Sequence, residues 1–472
     1  MSTRRKALLV TVSNRLPVTL RRGARGPERV RSSGGLVAAF EPMLEHRGGV
    51  WVGWPGLELR PGESLSEPDD LYQIKPVGIT KSEVRGYYHG FSNRTLWPVF
   101  HTLPGRASFD MADWESYERV NQRFADVTAN AIDPGDLVLV NDYHLMLAPA
   151  QLRHAAPTNP IGFFLHIPFP PYDVYRVLPW GRNLLRGVLG ADLIGFHVSG
   201  YVRNFVDCVQ QLLGARVDRR SGLVEHDGRT VRVAAFPLGI DFPHFESLAR
   251  SAPEAGFSSD ERVILGVDRL DYTKGIPERL TAFAHLLETH PEHRQRITFL
   301  QLAVPSRAEV TEYRKLKREI DELVGQINGR FSSATWTPIH YLYRSIPQDR
   351  LAALYRDADV ALVTPLRDGM NLVAKEFVAC QVDDPGVLVL SRMAGAAETM
   401  TEALLVNPYD VDDTAAKLHR ALSMPLAERR SRMKQLRQRE ATSNVHAWAR
   451  KLIARIREAA KDSNRERRWN TR

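Results

Sequence analysis

The sequence predicts an α/β fold with two doubly wound domains, each built on a largely parallel sheet. Two series of short apolar runs, rich in β-branched residues, alternate with longer amphipathic stretches along the 472 residues. Apolar runs of roughly 4–8 residues are typical of parallel strands that are buried on both faces. Their alternation with helical patterns indicates βαβ units and therefore parallel sheets.

The first series of runs predicts the strands of an N-terminal domain. Its members are residues 7–13, 136–142, 161–167, 191–197 and 231–238. The run at 7–13 follows three basic residues, as a secretory leader would. Because this run is short, ends in Ser-Asn-Arg and lacks a small-residue cleavage site, we predict a strand there instead.

The second series predicts a second doubly wound domain. Its members are residues 262–270, 297–304, 339–344, 358–366 and 386–391. Pro, Gly and Asp cluster between the two series, in PLGIDFP at 237–243, which is typical of a linker. We therefore predict an N-terminal domain at 1–240, a second domain at 241–445, and a helix with a basic tail at 446–472.

Composition restricts the compartment and the partners. The chain is 43% hydrophobic and 25% charged, carries a net charge of +9, and has two cysteines, Cys208 and Cys380. Two cysteines so far apart form neither a disulfide framework nor a zinc motif, and no stretch of about 18 apolar residues predicts a membrane span. We predict a cytoplasmic protein. Without a nucleic-acid-binding motif, the positive charge favours small anionic substrates, with neither nucleic acid nor a membrane as partner.

Basic residues follow several of the predicted strands. Ligands of open parallel sheets bind beyond the carboxyl ends of the strands. Arg15, Arg269, Lys274 and Arg307 all lie at such ends. Arginine binds phosphate through a planar fork and lysine as a point charge. One such residue alone is usually a surface or ion-pair residue, but four at strand ends indicate phosphate binding.

Two segments predict helix N-termini that face an anion or a sugar. Gly34 and Gly35 open one helical stretch, where backbone amides can approach a negative charge. In RDGMNLVAKE (367–376), Gly369 allows a tight turn from strand to helix, and Glu376 could accept hydroxyl hydrogen bonds one turn later. The sequence lacks a P-loop, a GxSxG elbow, an HExxH motif and a Gly-rich dinucleotide fingerprint, which disfavours phosphoryl and hydride transfer.

Ordered motifs over residues 7–455 carry a family resemblance. They are VSNRLP (12–17), SSGGL (32–36), WVGWPG (51–56), YYHGFSNRTLWPVFH (87–101), NDYHL (141–145), GFFLHIPFP (162–170), LLGADLIGFH (188–197), GVDRLDYTKGIPERL (266–280), INGRF (327–331), TPLRDGMNLVAKE (364–376) and NPYD (407–410). The chain resembles the trehalose-6-phosphate synthases. This resemblance implies two Rossmann-like domains facing across a cleft, the GT-B arrangement, with the C-terminal helix returning to the first domain.

The resemblance also implies roles for individual residues. Those expected to bind glucose 6-phosphate are Arg15, Trp54, Tyr88, Trp97, Asp142 and Arg307, with the two arginines on its phosphate. Those expected to bind the nucleotide sugar are Gly34, Gly35, His166, Arg269, Lys274, Ile346, Asp368, Gly369, Met370, Asn371, Leu372, Val373 and Glu376. Those expected to take part in catalysis are Arg269, Lys274, Asp142, His166 and Asp368. The sequence departs from the family where Ile346 replaces a phenylalanine near the base, and where NDYHL replaces HDYHL.

The implied reaction is glucosyl transfer with retention, from a nucleotide sugar to glucose 6-phosphate. It proceeds by front-face displacement and needs neither a metal nor a cofactor. UDP-glucose is the favoured donor, with guanosine and adenosine as alternative nucleosides. Two other functions remain open from the sequence, a synthase that glucosylates glycerol 3-phosphate and a catalytically silent glucose 6-phosphate sensor. A homodimer or homotetramer is expected.

Overall fold

A computed structural model describes residues 7–23, 26–31, 35–58, 71–257, 261–307, 310–383 and 386–470. The chain divides after Pro237 and after Val445 into two compact units. The first unit contains the chain before Leu238 together with the segment after Val445, and the second unit contains Leu238–Val445.

The first unit is built on a nine-stranded sheet. The strands of this unit are β1 (Leu9–Arg15), β2 (Val18–Gly23), β3 (Gly26–Arg31), β4 (Gly49–Trp54), β5 (Gln73–Pro76), β6 (Leu137–Asn141), β7 (Ile161–Phe164), β8 (Leu193–Phe196), β9 (Arg216–Asp218), β10 (Leu223–His226) and β11 (Arg229–Ala235). The sheet order is β5-β4-β1-β6-β7-β8-β11-β10-β9, while β2 and β3 form a separate hairpin. The pairs from β5 to β11 are parallel, and β9 and β10 add an antiparallel edge.

Helices connect these strands. They are α1 (Gly35–Arg47), α2 (Lys81–Glu83), α3 (Trp97–Phe100), α4 (Met111–Ala129), α5 (Ala148–Ala155), α6 (Tyr172–Tyr175), α7 (Gly181–Val188) and α8 (Ser199–Leu213). A π-helical segment, Val84–Leu96, joins α2 to α3 and packs against α4. Its close approach needs glycine, because a Cβ on Gly90 would lie 2.3 Å from the carboxyl carbon of Asp113.

The second unit is built on a six-stranded sheet whose pairs are all parallel. Its strands are β12 (Arg262–Arg269), β13 (Ile297–Val304), β14 (Ile339–Tyr343), β15 (Val360–Val363), β16 (Val387–Ser391) and β17 (Leu404–Val406), in the order β14-β13-β12-β15-β16-β17. Its helices are α9 (Phe242–Ser251), α10 (Ile276–Thr289), α11 (Thr311–Phe331), α12 (Gln348–Asp357), α13 (Leu372–Cys380), α14 (Val411–Ser423) and α15 (Leu426–Thr442). The ten apolar runs of the sequence all form strands, so the predicted α/β class with two doubly wound sheets is confirmed.

The last helix, α16 (Val445–Asn470), packs on the first unit. The indole N–H of Trp448 donates to the carbonyl of Phe236 over 3.0 Å. Gly162 on β7 makes room for this helix, because a Cβ there would lie 2.4 Å from the side chain of Ile456. Among the described residues, no helix combines the length and the apolar character that a membrane crossing requires.

Candidate active site

The carboxyl ends of β1 and β4 bring together three of the predicted acceptor residues. Arg15 pairs with Trp54 across the two strands, and its guanidinium carbon lies 4.0 Å from the centre of the indole ring. The same carbon lies 5.9 Å from the ring of Tyr88. Burial lowers the pKa of Arg15, yet an arginine remains cationic in proteins. The two aromatic faces stabilise a positive charge that is available to an anionic ligand.

Asp142 follows β6 in a strained conformation. Its φ of 76° lies in a region that residues other than glycine rarely adopt. One carboxylate oxygen accepts the backbone N–H of His166 over 3.1 Å, and the other lies 3.9 Å from Nδ1 of His144. Strain of this kind persists where surrounding contacts fix it, and it is concentrated at functional sites.

His166 follows β7 and is held as a neutral ring. Asn141 uses its amide nitrogen to donate to the carbonyls of Val12 and Leu139, each over 3.2 Å, which turns its amide oxygen toward Nε2 of His166 at 3.1 Å. Burial, and then the neighbouring His197, lower the pKa of His166 well below its usual value. The imidazole can therefore accept a hydrogen bond from a sugar hydroxyl through Nδ1 but supplies no positive charge.

Tyr88, in the π-helical segment, connects Arg15 with the surroundings of Asp142. Its ring lies near the guanidinium of Arg15 and stacks on the ring of His144 with centroids 5.8 Å apart and an interplanar angle of 10°. Trp97 is buried, and its ring packs against His101 and Tyr143 at centroid distances of 4.1 Å and 5.6 Å. Gly35 begins α1. Gly34 lies outside the described residues.

In the second unit, Lys274 and Asp368 form an ion pair between two loops. Lys274 ends a single 3₁₀ turn after β12, and its Nζ lies 2.6 Å from a carboxylate oxygen of Asp368. The same oxygen accepts a hydrogen bond from the side chain of Asn371 over 3.1 Å. Gly275 directly follows the turn with φ 64°, and a Cβ there would meet the carbonyl oxygen of Thr364 at 2.4 Å.

Arg307 is connected to the same turn through Asp271. Its Nη1 lies 3.3 Å from Oδ2 of Asp271, and this oxygen also accepts the hydroxyl of Tyr313 over 2.9 Å. Asp271 uses its other oxygen to cap the turn at the amide and hydroxyl of Thr273. Burial alone would raise the pKa of Asp271, but the neighbouring Arg307 and Arg269 lower it below its usual value.

Arg279, on α10, supports the turn from beneath. Its guanidinium is fully buried and donates to Asp268 over 2.7 Å, to Gln301 over 3.0 Å and to the carbonyl of Lys274 over 3.3 Å. Burial raises the pKa of Asp268 even though Arg279 opposes the shift. Arg279 thus fixes the backbone that carries Lys274.

The segment 368–373 forms the N-terminus of α13. Asn371 adopts φ 74° and caps the helix by accepting the amide of Ala374 over 3.2 Å. Leu372 and Val373 provide the first-turn amides, which have no acceptor within a helix. The preceding residues are fixed by a second loop, because the carbonyl of Met370 accepts the amide of Ala396 over 2.8 Å. A Cβ on Gly395 would lie 2.1 Å from the carbonyl oxygen of Gly369.

A cavity of about 580 Å³ opens beside Tyr313. This is a size typical of small-molecule sites. Its lining residues include three cations, and they are Leu270, Ser306, Thr311, Tyr313, Arg314, Lys317, Arg318 and Tyr343. The cavity therefore suits an anionic ligand.

Two predicted donor residues are more accessible to solvent. Arg269 is exposed at the end of β12, and Ile346 is half-buried between β14 and α12.

Glu376 lies one turn into α13 and accepts the hydroxyl of Tyr355 over 3.1 Å. Burial raises its pKa to about 7. Because an unfolded glutamate titrates near ~4.3, the native state binds more protons than the unfolded state between those values. The stability contributed by this group is therefore lost as pH rises through about 5 to 7.

Replacing Glu376 with glutamine should remove this dependence. We expect the free energy of unfolding of the wild type to fall relative to Glu376→Gln by roughly 1–3 kcal/mol between about pH 5 and pH 8. Urea denaturation of both proteins at four pH values measures this difference. Glu322→Gln, an exposed glutamate of α11, is the control and should leave the wild-type profile unchanged. Parallel profiles for wild type and Glu376→Gln would contradict the prediction.

Several residues that contact the predicted site residues are not marked by the sequence motifs. Asn141 is the last residue of β6 and His197 directly follows β8, so the strand-end rule could have identified them. Tyr313 lies on α11 and Arg279 on α10, so neither residue is itself at a strand end. No local pattern in the sequence marks those two as partners of the site.

Comparisons with known proteins agree with this arrangement. The model of Glycosyltransferase family 20 matches residues 7–458. A trehalose-6-phosphate synthase of Mycobacterium avium (strain 104) is 43% identical over 469 residues, covering 95% of this chain and 95% of that protein.

Two solved structures are similar over almost the whole chain. An alpha,alpha-trehalose-phosphate synthase (UDP-forming) from Burkholderia xenovorans, in complex with glucose-6-phosphate, is 38% identical with a TM-score of 0.88, covering 96% of this chain and 100% of that one. A structure from E. coli, bound with UDP-2-fluoro glucose, is 36% identical with a TM-score of 0.89, covering 95% of this chain and 99% of that one.

Proposed function

The chain belongs to glycosyltransferase family 20, and on this premise we propose that it transfers glucose from UDP-glucose to glucose 6-phosphate. The products are α,α-trehalose 6-phosphate and UDP. One observation carries the proposal on the structural side. The Lys274–Asp368–Asn371 group joins a cation and a hydroxyl-binding carboxylate at the N-terminus of α13, which suits a sugar diphosphate.

We propose that the first unit supplies most of the acceptor site. The charge of Arg15, held over Trp54 and Tyr88, suits the phosphate of glucose 6-phosphate. The Asp142 carboxylate suits the sugar hydroxyls; it is oriented by the amide of His166, and the strained backbone of Asp142 is fixed by its own amide, which donates to the carbonyl of Phe164. The ring of Trp97 packs against that of Tyr143, the residue after Asp142, and its role is to shape this part of the acceptor site.

Donor binding and catalysis are assigned mainly to the second unit. Lys274 and Arg269 stabilise the charge that grows on the leaving diphosphate. Asp368 and the first-turn amides of α13 bind the glucosyl group, and Glu376 accepts the ribose hydroxyls. His166, as a neutral ring whose Nε2–H donates to Asn141, accepts a hydrogen bond through Nδ1 near the donor sugar.

The chemical step is a displacement on one face of the donor sugar. The bond from the anomeric carbon to the diphosphate oxygen breaks, and the bond to the acceptor's anomeric oxygen forms on the same face. The proton of the attacking hydroxyl passes to the departing diphosphate oxygen, so the α configuration is retained. The protein contributes positioning and electrostatic stabilisation of the transition state.

Mass spectrometry of the reaction products tests the proposal. UDP-, GDP- and ADP-glucose are each offered with glucose 6-phosphate or glycerol 3-phosphate. A disaccharide phosphate formed with UDP from glucose 6-phosphate is the expected result. Product from glycerol 3-phosphate alone would assign a glucosylglycerol-phosphate synthase, and binding of glucose 6-phosphate without transfer would assign a sensor. Transfer from GDP- or ADP-glucose, with none from UDP-glucose, would reject uridine as the nucleoside of the donor.

Replacing Arg307 should weaken acceptor binding selectively. A charge-assisted hydrogen bond to phosphate contributes about 1.5–3 kcal/mol, so KM for glucose 6-phosphate should rise about 10–100-fold in Arg307→Ala, with the donor KM changed far less. Arg307→Lys keeps the charge but loses the planar fork, so its KM for glucose 6-phosphate should lie between those of the wild type and Arg307→Ala. Steady-state kinetics measures both constants.

Two controls accompany this experiment. Arg307 also contacts the buried Asp271, so the melting temperature shows whether the fold is intact. Arg420→Ala removes an exposed arginine of the same unit and should change neither KM. A larger rise in the donor KM than in the acceptor KM would refute the assignment.

The cytoplasmic location of the protein and its assembly as a homodimer or homotetramer stay predictions.

A further inference from the structure

Three imidazoles and one carboxylate lie close together on the surface of the second unit, at the C-terminal end of α10, whereas Lys274 precedes the N-terminal end of this helix. They are His290, Glu292, His293 and His419, here called the histidine cluster. His290 directly follows α10, a 3₁₀ turn (Pro291–His293) carries the next two members, and α14 carries His419. Because α10 rises about 1.5 Å per residue, some 20 Å of helix separates the cluster from Lys274.

The ligand atoms of the cluster are already close together. His290, Glu292 and His419 each offer one ligand atom within 4.8 Å of the others. Nδ1 of His290 lies 3.1 Å from Oε1 of Glu292, and Nδ1 of His419 lies 3.9 Å from the same oxygen. Nε2 of His293 lies 3.0 Å from Nδ1 of His419. Tetrahedral Zn²⁺ sites with bonds of about 2.0–2.1 Å place their ligand atoms about 3.3 Å apart.

His290 and His419 also form a stacked pair that is open to solvent. His290 and His419 stack with centroids 3.8 Å apart and an interplanar angle of 9°, which holds the two rings side by side. Their side chains are about one-third exposed, at 31% and 35%, so an ion can reach them from solvent.

We propose that His290, Glu292 and His419, with His293 as the fourth ligand, bind one divalent transition-metal ion of the zinc class. Imidazole and carboxylate are the ligands that zinc, nickel and copper share, while magnesium prefers oxygen ligands alone. The ion would connect the end of α10 to α14. It lies apart from the residues assigned to glucosyl transfer, so its role is structural and it does not replace the cations of the donor site.

Isothermal titration of the full chain, after dialysis against a chelator, tests the site with Zn²⁺ and with Mg²⁺. We expect one Zn²⁺ per chain with a micromolar or lower Kd, no comparable Mg²⁺ binding, and a higher melting temperature with Zn²⁺. His419→Ala should weaken Zn²⁺ binding at least 10-fold. Glu292→Gln should also weaken it, which provides a second variant on an exposed position.

His285→Ala is the matched control. His285 lies on α10, is 32% exposed like the members of the cluster, and pairs with Asp412 of α14 outside the cluster. This variant should bind Zn²⁺ as the wild type does. Equal affinity in wild type and His419→Ala, or no binding of one equivalent by the wild type, would overturn the proposal. Glucosyl transfer should be unchanged in all three variants, so this test is independent of the proposed function.

Discussion

Arg279→Met should lower the free energy of unfolding by about 3–5 kcal/mol, the usual effect of removing one partner from a buried ion pair. The side chains of Arg279 and Asp268 are 0% and 2% exposed. Methionine fills similar volume, so the loss arises from the uncompensated Asp268 carboxylate and from the freed acceptor of Gln301. Denaturation in guanidinium chloride, read by circular dichroism, measures the change.

A second substitution separates charge from packing. Adding Asp268→Asn to Arg279→Met removes the buried charge, and should restore most of the lost stability. Arg420→Met changes an exposed arginine of the same unit and should stay within about 0.5 kcal/mol of the wild type. If the double variant is no more stable than the single one, the guanidinium acts through packing and not through its charge.

The fold could be predicted largely because its strands are apolar. Runs such as 262–270 and 297–304 are buried on both faces, and the structure places strands at Arg262–Arg269 and Ile297–Val304. The pattern of apolar runs does not predict β4, whose sequence GVWVGW contains two glycines. Nor does it predict the π-helical segment Val84–Leu96, because this segment is rich in aromatic residues, contains two glycines and shows no regular hydrophobic period.

The candidate site was predictable only as far as strand ends and motifs reach. The rule about carboxyl ends predicts Arg15, Lys274 and Arg307 as cations of a phosphate site. It could not reveal that Arg307 is held by Asp271 and Tyr313, since Tyr313 lies on a helix and reads as an ordinary apolar position. Long-range partners of this kind depend on tertiary packing, which leaves no local pattern.

Backbone strain supplies an indication that the sequence does not contain. Six described residues other than glycine have positive φ, and Asp142, Arg307 and Asn371 are three of them. All three belong to the predicted site. Aspartate and asparagine tolerate this region better than most residues, but arginine does not, so Arg307 is held there by its surroundings. The convergence of strain on residues chosen for their chemistry favours functional positions over surface loops.

Lys274→Met should reduce kcat about 10²–10³-fold with both substrates saturating, the usual effect of removing one preorganised group that stabilises transition-state charge. The ammonium of Lys274 is positioned by its 2.6 Å contact with Asp368, and its backbone is fixed by Arg279 and by Gly275. Little reorganisation is then needed when negative charge grows on the leaving diphosphate. Single-turnover and steady-state kinetics together measure the loss.

The split between kcat and KM identifies what Lys274 does. If its charge acts in the transition state, KM for glucose 6-phosphate stays near the wild-type value while kcat falls. Lys274→Gln retains a hydrogen-bond donor toward Asp368 without the charge, and should lose nearly as much turnover as the methionine variant. Lys417→Met removes a lysine of α14 that pairs with Asp413, and should leave kcat unchanged. A rise in donor KM with kcat within threefold of the wild type would make Lys274 a ground-state binding residue, because only interactions that strengthen in the transition state accelerate the chemical step.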